Sequence, residues 1–356
     1  MNESERNQKL FENKMNQHIY FNSDPSKLTL NTTITENCSS CRWTTNNSFY
    51  IFKSILNEYL VVYGNNSKNY TIEFYDITKK KLNENLSINN AHKDRIVNIK
   101  HYYYELKNQD FILSSSQDGT IKLWQLYSLK NLIILNHPSK KKDDFRLCCE
   151  MLFFNRTIND YYIITRKYNE IKIWNNKGEN INTYAFGGGT IYLNKYYYNC
   201  KNYLLYGGTS ETNIELRDIE NGELFHKYDD NCSHWVEIYE INNEKRVIAA
   251  NYNNCFIKIF DFDTENLIKT LTIEKKGNIF SFCLWNEKYI LVGCSYSIKL
   301  FNIDEGKLIK EFKGIFSSCA LSIFKFNHPI LGDCILTNDF SGDPDNKGKI
   351  YLYSIS

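Results

Sequence analysis

One six-residue pattern recurs seven times along this chain of 356 residues, and it restricts the fold more than any other feature. The copies begin at Ile72, Ile121, Ile171, Ile214, Ile257, Ile298 and Ile350. Ile121-Lys122-Leu123-Trp124 and Ile257-Lys258-Ile259-Phe260 show its form: Ile first, then a charge, an aliphatic residue and an aromatic one. The exceptions are Phe74 at the third position, Tyr351 at the second and Arg217 at the fourth. A period of two, rich in β-branched and aromatic residues, belongs to a β-strand. Successive copies stand 49, 50, 43, 43, 41 and 52 residues apart. Steps of about 40–45 residues suit a unit of four strands with a few loop insertions.

The other three strands can be read around this one. An apolar segment ending in small residues precedes it, as in Phe111-Ile112-Leu113-Ser114 and Val247-Ile248-Ala249-Ala250. Earlier still lies another short strand, such as Arg95-Ile96-Val97-Asn98-Ile99 or Trp235-Val236-Glu237-Ile238-Tyr239. Tight turns follow it, Glu220-Asn221-Gly222 and Asp304-Glu305-Gly306, where glycine supplies the positive φ. A more polar fourth strand comes next. Four antiparallel strands make a propeller blade, and a lone blade cannot bury its two faces, so blades must stack. The expected architecture is all-β: a single seven-bladed β-propeller of four-stranded antiparallel blades over residues 27–356, with 1–26 as a polar N-terminal tail. The seventh unit ends at Ser356 without a fourth strand, whereas Lys27-Leu28-Thr29-Leu30-Asn31-Thr32-Thr33-Ile34 alternates like a strand ahead of the first unit. That early segment is expected to complete the last blade and close the ring, leaving no open sheet edge there.

Composition narrows the functional classes. The formal net charge is +2, from 43 basic and 41 acidic residues, so no basic excess points to nucleic acid. No run of about 18 apolar residues exists to span a membrane, and Met1 to Lys14 lacks the apolar core of a signal peptide. Eleven irregularly spaced cysteines read as free thiols of a reducing, intracellular compartment, cytoplasmic or nuclear. Cys38-Ser39-Ser40-Cys41 has zinc-ligand spacing but no second Cys-x-x-Cys to complete four ligands. Asp339, Asp343 and Asp345 crowd one loop without the distal Glu of a calcium loop. Gly187-Gly188-Gly189 lacks the spacing of a dinucleotide fingerprint, and nucleophile-elbow, zincin and phosphate-loop motifs are missing. The reading is a protein without cofactor, metal or catalytic residues.

The best unit resembles the WD-repeat family: Ala91-His92-Lys93-Asp94 looks like its Gly-His opening, and Ser114-Ser115-Ser116-Gln117-Asp118-Gly119-Thr120 leads into Trp124 as its second and third strands do. The resemblance spans roughly Lys27 to Ser356. It implies a buried chain of His92, Asp118, Trp124 and either Ser114 or Ser116 that locks the blade. Other units depart from the pattern: Tyr168 and Asn254 stand where the family has Asp, and Phe260 where it has Trp. The resemblance further implies a non-catalytic scaffold or adaptor, a subunit of a larger complex, binding other proteins or peptides on its top face. Family positions carried over to that face are Lys93, Arg95, Gln117, Arg146, Lys167, Thr190, Ser210, Ser233, Trp235, Asn253 and Asn278. Trp235, Arg95 and Arg146 are the first candidates for anchors, since Trp and Arg dominate binding hot spots; burial between blades is the alternative for Trp235. Two insertions, His137-Pro138-Ser139 with Lys140-Lys141-Lys142 and Asp143-Asp144, and the acidic loop around Asp343, are expected to rim this face. The competing readings are a propeller that recognises a phosphoinositide or RNA backbone, and a propeller-fold enzyme with a central-channel site.

Overall fold

The computed structural model describes residues 20–39, 49–65, 69–104, 107–137, 148–154, 160–167, 170–185, 190–208, 213–229, 233–252, 254–273, 278–313, 320–339 and 347–355. Strand β1 (Leu28–Ser39) comes first in the chain and belongs to the last blade. Blade 1 holds β2 (Phe49–Lys53), β3 (Tyr59–Asn65), β4 (Thr71–Asp76) and β5 (Lys81–Leu82). Blade 2 holds β6 (Ile96–Tyr104), β7 (Gln109–Ser116), β8 (Thr120–Gln125) and β9 (Lys130–Asn136). Blade 3 holds β10 (Cys148–Phe154), β11 (Asp160–Lys167), β12 (Glu170–Trp174) and β13 (Asn180–Ala185). Blade 4 holds β14 (Thr190–Tyr198), β15 (Lys201–Gly208), β16 (Ile214–Asp218) and β17 (Leu224–Tyr228). Blade 5 holds β18 (Ser233–Ile241), β19 (Glu244–Asn251), β20 (Phe256–Asp261) and β21 (Leu267–Thr272). Blade 6 holds β22 (Ile279–Leu284), β23 (Tyr289–Cys294), β24 (Ser297–Asn302) and β25 (Lys307–Lys313). Blade 7 holds β26 (Ala320–His328), β27 (Gly332–Asp339), β28 (Lys347–Ile355) and β1.

Every blade is an antiparallel meander, and the recurring pattern is its third strand. The seven first-position isoleucines are all 0% exposed, and the third-position residues are buried as well. Alternate residues of a strand point to opposite faces. One face of each third strand therefore packs Ile and its aliphatic partner, while the fourth-position residue lies on the other. The first strands of adjacent blades touch at all seven junctions, including β26 against β2, so the ring is complete and these strands surround the channel.

The expected closure is present. Strand β1 pairs antiparallel with β28 from Leu28 opposite Ile355 to Ser39 opposite Lys347. Its register shifts between Leu30 and Thr32, between Thr33 and Thr35, and between Thr35 and Cys38. Shifts of this kind bend a strand, and the far end of β1 reaches blade 1, where Cys38 pairs with Asn65 of β3. Blades 7 and 1 are thereby joined in one eight-stranded sheet. Phe324 of blade 7 reinforces the junction, lying edge-on to Phe49 at 5.1 Å and to Tyr50 at 5.3 Å. Among the described residues no helix is long and apolar enough to cross a membrane.

Both glycine turns identified from sequence carry positive φ, +74° at Gly222 and +64° at Gly306. They differ in surroundings. A Cβ on Gly222 would drive into the Tyr184 ring of the neighbouring blade, whereas one on Gly306 would meet nothing nearer than Leu271 Cδ2 at 3.7 Å. Left-handed backbone costs an L-residue about 1–2 kcal/mol. Gly306→Ala should lower stability by about that amount in urea unfolding. Gly222→Ala should lose clearly more, and equal losses would show that the Tyr184 contact is without consequence.

Candidate interaction face

In an antiparallel blade, the connections entering the first strand and those between the second and third strands emerge at one end. This end is called the upper face here. In blade 2 it is organised by a continuous polar chain. Trp124 Nε1 donates to Ser114 Oγ at 2.9 Å, and Ser114 Oγ lies 2.8 Å from His92 Nε2. His92 Nδ1 lies 3.2 Å from Asp118 Oδ2 and 3.0 Å from Thr120 Oγ1. A carboxylate can only accept, so Nδ1 carries the proton and bare Nε2 accepts from the Ser114 hydroxyl. Of the two serines considered, the chain runs through Ser114. Ser116 instead donates to the Asp94 carbonyl at 2.9 Å.

Asp118 is the hub. Burial opposes its ionisation, but His92, the Lys93 N–H and the Thr120 hydroxyl outweigh that and hold the carboxyl well below the usual carboxylate range. Burial pushes the His92 pKa below its ordinary value, against the pull of Asp118. The Lys93 N–H bond to Asp118, at 2.8 Å, fixes the loop that enters the blade.

Blade 3 repeats the arrangement with a histidine that the sequence reading assigned to a loop insertion. Trp174 Nε1 donates to Thr165 Oγ1 at 2.9 Å, and Thr165 Oγ1 lies 3.1 Å from His137 Nδ1. His137 precedes Thr165 by 28 residues, whereas His92 precedes Ser114 by 22, and the longer interval hid the match. Blade 4 explains the Arg217 exception. Arg217 Nε donates to Tyr206 Oη at 2.9 Å and to Glu215 Oε2 at 2.7 Å, replacing the indole N–H at the same position.

The expected contact residues divide into distinct groups. Lys93 is exposed, and Arg95, Gln117 and Asn278 are half-buried, so of the expected contact residues these four have described side chains near the surface; the exposed Tyr296, on the connection between β23 and β24, lies on the same face. The Gln117 N–H donates to the Arg95 carbonyl at 2.9 Å, holding their two loops together. Thr190 and Ser233 open β14 and β18 as backbone positions, and their side chains lie outside the described residues. Arg146, Ser210 and Asn253 lie outside them altogether, as do residues 138–147 and 340–346 of the two insertions.

Two expectations are corrected. Lys167 is only 8% exposed, because its ammonium turns inward and donates to the His137 carbonyl at 2.6 Å. Trp235 is only 4% exposed: its ring sits 5.4 Å from Tyr192 of blade 4, and its Nε1 donates to Glu237 Oε1 at 2.8 Å. Neither is an exposed anchor. The Tyr239 hydroxyl donates to the other Glu237 oxygen. Residues 235, 237 and 239 share one side of β18, so the strand's own alternation holds this channel carboxylate between Trp and Tyr. Burial raises its pKa, against the pull of those two bonds and of the Lys100 and Lys325 charges. Sequence reading identified this strand but not its carboxylate.

No family model and no curated protein matches the sequence. Among the described residues no group of three or more His, Cys, Asp or Glu could hold a metal ion. Among the described cysteines, Cys38, Cys255, Cys283, Cys294 and Cys334 are buried and Cys200 is exposed.

Two measurements test the polar chains. Ser114→Ala leaves both the Trp124 N–H and the Ser114-facing nitrogen of His92 without a partner in a buried site. Each such loss costs about 1–3 kcal/mol. Its loss of stability should exceed that of Ser128→Ala, on an exposed turn of the same blade. Burial, with the nearby Lys172 and Lys167 ammonium groups, lowers His137 to about 4 from 6.5. The unfolded imidazole therefore takes up a proton before the folded one does. This contribution is complete above pH 6.5 and is lost as the pH falls toward 4. Its full size is on the order of 3 kcal/mol. Thermal unfolding should shift downward between pH 7 and pH 5, and His137→Gln should flatten that dependence while lowering stability at pH 7.

Proposed function

We propose that this chain is a divergent WD-repeat propeller. In this reading it is a non-catalytic scaffold or adaptor, a subunit of a cytoplasmic or nuclear complex, that binds other proteins through its upper face. The observation that carries the reading is the His92–Ser114–Trp124 chain with Asp118 at its head. It ties the entering loop and the second-to-third-strand loop of blade 2 into one rigid support. On that support Lys93 is exposed and Arg95 half-buried, while the amide nitrogen of Gln117 is buried. In blade 3 the His137–Thr165–Trp174 chain links the entering segment to the second and third strands but ends at His137, without a carboxylate hydrogen-bonded at its head. Rigid frameworks that display polar loops suit recognition, because little freedom remains to be lost on binding.

Glu237 bears on the alternative of a channel enzyme. Both of its oxygens already accept from Trp235 and Tyr239 of its own strand. A carboxylate so engaged favours a structural role in the channel over proton transfer to a substrate. The Lys100 and Lys325 charges favour its ionised form, and burial opposes it.

Affinity purification from cells should separate these readings. The full chain and its Lys93→Glu/Arg95→Glu variant would serve as baits, with captured proteins identified by mass spectrometry. The variant should lose a defined subset of partners while unfolding within a few degrees of the wild type, since surface changes shift stability by about 0.5 kcal/mol. An unchanged set of partners would exclude this part of the upper face.

A further inference from the structure

The turns between first and second strands form the opposite, lower face, and residues 20–26 lie across it. The segment has no strand pairing and only the short 3-10 turn Pro25–Lys27 at its end. Its contacts are with three blades. Phe21 N donates to the Trp285 carbonyl at 3.0 Å, and Asn286 Nδ2 donates back to the Phe21 carbonyl at 3.0 Å. Trp285 Nε1 donates to the Ser23 carbonyl at 2.8 Å. The Tyr20 hydroxyl donates to the Glu240 carbonyl of blade 5, Ser23 to Asp333 of blade 7, and the Lys310 ammonium to the Ser26 carbonyl.

The pattern is that of a bound peptide. Three of these bonds, from Trp285 and Asn286, read only backbone and would serve any extended segment. Selectivity comes from two adjacent rings. Phe21, 3% exposed, lies edge-on to Trp285 with centroids 4.7 Å apart. The Lys325 ammonium stands 5.2 Å from the Tyr20 ring and 5.4 Å from the Phe21 ring. Lys325 also donates to the carbonyls of Leu284 and Trp285, which fixes its head beneath the two rings. Every receiving group belongs to a blade that is formed without the segment.

We infer that the lower face over blades 5 to 7 is a socket for an extended peptide carrying two adjacent aromatic residues, and that residues 20–26 are its resident ligand, held in cis. Main-chain bonds supply affinity and side-chain pockets supply specificity, as in other modes of peptide recognition. The segment continues directly into β1, so the tether keeps its local concentration high. A partner presenting the same aromatic pair must displace it. The inference is independent of the upper face, and either can fail alone.

The probe is a fluorescent synthetic peptide reproducing residues 18–27, with an analogue carrying Ala at the Tyr20 and Phe21 positions. The proteins are the full chain and its Tyr20→Ala/Phe21→Ala variant. The peptide should bind the variant at least about tenfold more tightly than the wild type, whose own tethered copy competes. The analogue should bind neither. Equal binding to both proteins, no binding to the variant, or equal binding of the analogue would overturn the inference. Should the variant not fold, hydrogen exchange on full-length wild type and Trp285→Phe decides. Protection of the Phe21 amide that falls in Trp285→Phe, while β22 stays protected, supports the socket. An unprotected Phe21 amide, or protection unchanged by the substitution, refutes it.

Discussion

The structure depends on one constraint: a four-stranded blade has two apolar faces and can cover neither by itself. Seven blades solve this by packing first strand against first strand around a closed circle. The circle must still be joined where the chain's two ends meet, and β1 does so by hydrogen bonding to β28 and then reaching β3. A strand that bends through three register shifts can belong to one blade and touch the next. Without it, β28 would present an unpaired edge and the blade 7–blade 1 junction would rest on side-chain packing alone.

Within blades 2 to 6, the sequence varies in a coupled way that follows from hydrogen-bond accounting. The second-strand residue facing the pattern's second position is Ser114 in blade 2, Thr165 in blade 3, Tyr206 in blade 4, Ala249 in blade 5 and Val292 in blade 6. The fourth-position residues are Trp124, Trp174, Arg217, Phe260 and Phe301. Where that residue carries an N–H, a hydroxyl accepts it; where it is Phe, the facing residue is aliphatic. A buried donor without an acceptor is costly, whereas an apolar pair of similar shape is not. Blades therefore exchange one solution for the other without losing the ring, which is why the repeat persists in strands whose polar signature has gone.

The fold was legible because its signal is local and repeated. A period of two with seven buried isoleucines survives any divergence that preserves the core. The closing strand was legible because an unmatched strand at each end of the chain has one economical use. The site was less so. Trp235 in isolation reads as either anchor or filler, and only the Tyr192 ring of the neighbouring blade and Glu237 two residues on decide for burial. Lys167 turns inward to a carbonyl across a connection whose path sequence does not specify. His137 is obscured by six extra residues before its threonine partner. Residues 20–26 look like polar tail because their bonds are made mostly through backbone atoms, which carry no sequence signal.

The two faces consequently differ in kind. With Trp235 withdrawn into the blade 4–blade 5 junction, the upper face keeps one exposed aromatic ring, Tyr296 on the connection between β23 and β24, while its described contact candidates Lys93, Arg95, Gln117 and Asn278 are all polar or charged. Groups of this kind set orientation, exclude mismatched partners and speed encounter more than they supply affinity. The lower face differs in that its aromatic rings, Phe21 and Trp285 in contact beside the Lys325 ammonium, are already covered by the chain itself. A partner for the upper face meets the Tyr296 ring as well as these polar groups, and aromatic residues are enriched in interface cores. One for the lower face must match what residues 20–26 already provide, since the apolar area there is released only when they leave.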